Sequence, residues 1–111
     1  MITAARFRTL ALALDDASEA PHMERIAFRT TLRIFATLAG DGGDANLKLA
    51  LEQQELLSSA RPLAFAPVSG GWGKMGWTRV SLKDADEADV KAGLAGAHAL
   101  ALVKNKPKKR R

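Results

Sequence analysis

Apolar residues recur at every second position in four short runs, 26–30, 32–38, 46–49 and 77–82. That period belongs to a strand with one buried and one exposed face. Turn-forming residues separate the runs. Thr30-Thr31-Leu32 divides the first pair, and Asp41-Gly42-Gly43-Asp44 precedes the third. Neighbouring runs this close in sequence pair as antiparallel hairpins, because a parallel connection needs a dozen or more residues. A further strand near Pro21-His22-Met23 would lie at a sheet edge, since proline cannot donate to a ladder.

Three stretches carry the helical period instead. Thr3 is placed to cap a helix to about Leu14, with Phe7, Leu10, Ala11 and Leu14 on one face. Residues 52–61 form a second helix, bounded by Pro62. Asp84 and Glu87 have capping-box spacing ahead of a last helix to about Val103, with Val90, Leu94, Ala97 and Ala101 inward. Gly93 and Gly96 inside that helix point to close approach to the sheet. Residues 65–68 are extended and 69–76 form a loop. The fold class is α+β, a small antiparallel sheet with helices packed on one side, in the order α-β-β-β(-β)-α-β-β-α.

The 111 residues make one domain, expected over residues 1–103. Net charge is +5, from 17 Lys and Arg against 12 Asp and Glu. Six of those cations lie in 104–111, leaving 11 basic against 12 acidic side chains elsewhere. The basicity therefore describes a tail, which has no apolar side chain to bury and is expected to be disordered. Such a tail suits a polyanion or acts as a solubilising end. Cysteine is absent, which removes disulfides and thiolate chemistry and fits a reducing compartment. No apolar run approaches the roughly 18 residues of a membrane span. The first residues lead into a helical pattern broken by Arg6 and Arg8 rather than a signal peptide. The expectation is a cytoplasmic monomer.

Gly71-Trp72-Gly73-Lys74-Met75-Gly76 matches G-x-G-x-x-G. The dinucleotide motif must open a helix onto pyrophosphate and be followed about 20 residues on by an acid. Here a strand follows, and Gly96 falls where the acid belongs. The glycines read as a connection needing positive φ, or as a nest for one phosphate beside Lys74. His22 and His98 lie far apart and share no metal-binding spacing. Asp84, Asp86, Glu87 and Asp89 suit a helix start. No nucleophile pairs with a base. No catalytic residue, metal or cofactor is therefore assigned.

Alternation also assigns the outer face. With Ile26, Phe28, Leu47, Leu49, Thr78, Val80 and Leu82 inward, Arg29, Asn46, Lys48, Trp77, Arg79 and Ser81 point out. Arg33 stands beside the first turn, and Trp72 and Lys74 in the adjoining loop. This set contains no acid. Cations interleaved with indoles suit phosphate contact and base stacking. The plain alternative is a solvated sheet face, with either Trp in the core.

Residues 3–103 resemble the MmcQ/YjbR-like family of small bacterial proteins. The resemblance rests on Gly70-Gly71-Trp72-Gly73-Lys74-Met75-Gly76-Trp77-Thr78-Arg79-Val80, similar to that family's G-G-W-G-x-x-G-W-T signature. Ala27-Phe28-Arg29 with Ile34-Phe35-Ala36-Thr37-Leu38, Leu47-Lys48-Leu49 and Pro21-His22 are similar to its other conserved stretches. The resemblance implies a frataxin-like (CyaY-like) α+β fold and a DNA-binding, double-wing protein. It brings no catalytic residues. The family's Gly-Lys hairpin turn reads Thr31-Leu32-Arg33 here. Frataxin-type iron binding does not carry over, because the first helix lacks an acidic ridge.

The functional expectation is a non-enzymatic protein that binds nucleic acid, duplex DNA with little sequence specificity, through Arg29, Arg33, Lys48, Trp72, Lys74, Trp77 and Arg79. The alternative is a module that takes an anionic metabolite or peptide at the Gly/Trp loop.

Overall fold

The computed structural model describes residues 1–103. The expected tail, 104–111, lies outside the described residues. The chain runs α1 (Ala4–Leu12), β1 (Ser18–His22), β2 (Arg25–Arg29), β3 (Ile34–Ala39), β4 (Asp44–Lys48), α2 (Leu51–Ala60), β5 (Phe65–Pro67), α3 (Gly71–Lys74), β6 (Trp77–Ser81) and α4 (Glu87–Ala101). The six strands form one sheet in the order β1-β2-β3-β4-β6-β5, antiparallel throughout. Helices pack on one side, as the sequence predicts. Pro21 lies in edge strand β1 and Pro67 in edge strand β5, positions where a missing N–H costs no ladder bond.

The core follows the alternation. Phe28, Leu47, Val80 and Phe65 line the covered face of β2, β4, β6 and β5. Helix α4 lies across β3 and β4, with α1 packed on α4 and β3, and α2 beside β5 and α4. Phe7 of α1 meets Phe28 edge-on, ring centres 5.9 Å apart. Phe35 meets His98 of α4 in the same way at 5.5 Å, and His98 Nε2 is hydrogen-bonded to the Asp15 carbonyl at 2.6 Å. That histidine is a packed core residue. Gly93 lets α4 approach β4, because a Cβ there would lie 2.8 Å from Leu47 Cδ1.

Several local expectations change. Helix α1 keeps its Thr3 cap, whose hydroxyl accepts from Arg6 N at 3.0 Å, but ends two residues early, at Leu12. The N-cap of α4 is Asp86, not Asp84. Asp84 accepts from the Ser81 hydroxyl at 2.8 Å and closes the β6–α4 turn instead. Gly96 faces the Gln53 side chain of α2 rather than the sheet. The expected loop 69–76 contains a one-turn helix, α3. A bulge between Phe28 and Arg29 shifts the β2–β3 register, so Phe35 and Ala36 are both fully buried.

Candidate nucleic-acid interface

No described helix packs on the second face of the sheet. Side chains alternate along each strand. Arg25, Thr37, Asp44, Asn46, Lys48, Trp77 and Arg79 therefore share that face. The register sets Lys48 opposite Trp77, Asn46 opposite Arg79 and Thr37 opposite Asn46. Arg25 lies one row further on, opposite Ala39.

These groups form a network. Arg25 Nε donates to Thr37 Oγ1 at 2.8 Å, and another Arg25 nitrogen donates to Asp44 Oδ1 at 3.2 Å. Arg79 Nε donates to Asp44 Oδ2, also at 3.2 Å. The outward set thus includes a carboxylate, which corrects the acid-free face expected from sequence. Arg25, Lys48 and Arg79 still outnumber Asp44, so these strand residues carry a net positive charge.

The glycine-rich segment builds the face's aromatic rim. Gly70 (φ +76°) and Gly76 (φ +109°) adopt backbone that L side chains rarely accept. A Cβ at Gly73 would run into the Val68 carbonyl, and one at Gly76 into the Leu49 carbonyl. The glycines thus permit tight packing of α3 against the strands beside it. Buried Gln54 of α2 fastens the segment. Its Nε2 donates to the Gly73 carbonyl at 3.0 Å, the Trp77 carbonyl at 3.1 Å and the Thr78 hydroxyl at 3.1 Å. Trp72 is 61% exposed. Trp72, Trp77 and Val68 wall a shallow groove of about 210 Å³, whose other lining residues are His22, Arg25, Thr37 and Asn46.

Of the seven residues expected at the site, Lys48, Trp77 and Arg79 lie together on the open face, and Trp72 reaches its groove. Lys74 is exposed on α3. Neither of the remaining two lines the groove. Arg29 is folded onto its own turn, donating to the Thr30 carbonyl at 3.0 Å. Arg33 donates to the Val103 carbonyl at 3.0 Å, just past α4 in the helical layer. Asn46, which alternation places outward beside Lys48, joins the site, and His22 and Arg25 join it unforeseen, as does Gln54 beneath it. Arg25 is legible only once the turn at Met23 and Glu24 is recognised, because β2 then begins one residue before Ile26. Among the described residues, no three His, Asp or Glu side chains converge as metal ligands. None of their helices is long and apolar enough to cross a membrane.

Comparison with known proteins sharpens the fold. The crystal structure of Deinococcus radiodurans protein DR2400, whose domain is DUF419, matches with a TM-score of 0.80 and 25% identity, over 97% of this chain and 84% of that one. This chain has the fold of that DUF419 protein. DUF419 belongs to the MmcQ/YjbR-like superfamily. No family model and no curated protein matches the chain.

Proposed function

We propose that the chain is an MmcQ/YjbR-like protein that binds nucleic acid without catalysis and with little sequence preference. The observation that carries this reading is the open sheet face, where two indoles and Arg25 line one groove while Lys48 and Arg79 stand on the adjoining strands. Cations there would contact phosphates, and the indoles a sugar or base. The Arg25–Asp44–Arg79 network does not cancel this attraction, since one carboxylate faces two guanidinium groups.

The test is fluorescence anisotropy with labelled oligonucleotides at rising salt, on the full chain and on a chain ending at residue 103. Each phosphate contact contributes a slope of roughly −0.7 to −0.9 in log K against log salt. The shorter chain is expected to bind with a shallower but non-zero slope. Complete loss of binding on shortening assigns recognition to residues 104–111 and overturns the proposal.

A further inference from the structure

We infer that the groove between Trp72 and Trp77 receives one unpaired nucleobase, so that the open face grips single-stranded nucleic acid in preference to duplex. This rests on the nucleic-acid reading above, and it replaces the duplex expected from sequence. Three observations carry it.

The first is shape. The groove holds about 210 Å³, enough to seat one planar ring system. In a duplex the π-faces of the bases are covered by their neighbours, whereas an unpaired strand can offer one to an aromatic side chain. Among the described residues, no helix packs on this sheet face to enter a major groove.

The second is the division of labour inside the groove. Trp72, Trp77 and Val68 form apolar walls. Thr37 and Asn46 form a polar floor. The Thr37 hydroxyl oxygen already accepts from Arg25 Nε. The Asn46 carboxamide makes no hydrogen bond with any other described residue. A carboxamide offers a donor and an acceptor side by side, the complement of a base edge.

The third is charge placement. Arg25 lines the groove, while Arg79 stands across the ladder from Asn46 and Lys48 across from Trp77. A base seated in the groove brings its flanking phosphates toward these cations. Groove and cations together match the aromatic platform and basic track that bind single strands without sequence readout.

The test measures binding of the full chain to oligo(dT) of about 15 nucleotides, to a duplex of the same length and to a mononucleotide, at one salt concentration. Anisotropy and tryptophan emission are followed together. The variants are Trp72→Ala, at an exposed position, and Asn46→Ala. The expected result is at least roughly tenfold tighter binding of oligo(dT) than of duplex, with quenched emission. Trp72→Ala should weaken the single strand roughly tenfold and leave the duplex within about twofold. Asn46→Ala should weaken the single strand by a smaller factor. Equal affinity for both strand forms, unmoved by Trp72→Ala, overturns this inference and leaves the phosphate-binding proposal standing. A mononucleotide that binds as tightly as oligo(dT) overturns it in favour of a small-ligand site. No binding to any probe removes both readings.

Discussion

Asp44 and Arg79 are diagonal neighbours across the β4–β6 ladder, joined by an Oδ2···Nε contact of 3.2 Å. Asp44 therefore restrains an arginine that the proposed function needs, and it restrains Arg25 through its other oxygen. Asp44→Asn keeps the shape and removes the charge. Affinity for oligonucleotides should rise several-fold, and the salt dependence should steepen. Stability should fall by no more than about 1 kcal/mol, because both pairs are partly exposed to water. Anisotropy and urea unfolding measure the two effects. Unchanged affinity would show that this face does not meet the polyanion.

Gln54 is expected to hold the indole rim without touching a ligand. Removing its amide strips three acceptors of a shared donor, although the Gly73 and Trp77 carbonyls keep backbone partners. Gln54→Ala should cost about 1–2 kcal/mol in urea unfolding. Native tryptophan emission should shift to the red as the segment loosens. Stability and emission both equal to the parent's would contradict this role.

The motif's glycines should not respond alike. Gly76→Ala places a Cβ against the Leu49 carbonyl at φ +109° and should cost at least about 3 kcal/mol. Gly71→Ala meets open space at the first residue of α3 and should stay within about 0.5 kcal/mol. Thermal unfolding separates these outcomes. Similar losses at both positions would contradict the packing explanation of the motif.

Alternation was sufficient to read the covered face of the sheet, because burial repeats with the pleat. It placed Phe28, Leu47 and Val80 inward and Trp77 and Arg79 outward. It failed where the ladder is irregular. The bulge at Phe28 and Arg29 breaks the pleat's phase, so Arg33 ends beside Val103 rather than on the open face. Asp44 was hidden by its own chemistry. As the last residue of Asp41-Gly42-Gly43-Asp44 it reads as a turn former, yet it is also the first residue of β4 and faces two arginines. Gln54 gave no signal, since a polar residue on a short helix is ordinarily solvated. Its burial depends on α2 docking over the Gly73–Trp77 backbone, a long-range fact with no local pattern.

Asp16 supplies a pH dependence. Its Oδ2 accepts from the Thr31 hydroxyl at 2.7 Å and the Thr31 amide at 2.8 Å, tying the α1–β1 connection to the β2–β3 turn. These bonds, the hydroxyl's foremost, hold its carboxyl below the usual carboxylate range. A carboxyl lowered by folding contributes stability above its unfolded pKa, and loses it as pH falls through the folded value. Asp16→Asn should therefore be less stable than the parent at neutral pH, with the gap narrowing toward about pH 3. Melting temperatures of both proteins across that range test this. A constant gap would contradict it.

If the folded body meets a polyanion through its uncovered sheet face, reversing charge on that face must weaken binding. Lys48→Glu with Arg79→Glu in the full chain is the decisive variant, because both residues stand on that face and residues 104–111 keep their sequence. The measurement is the salt dependence of oligonucleotide affinity for parent and variant. The expected result is a loss of roughly tenfold or more in affinity, with a slope shallower by about one to two phosphate contacts. Superimposable salt titrations of the two proteins would contradict it.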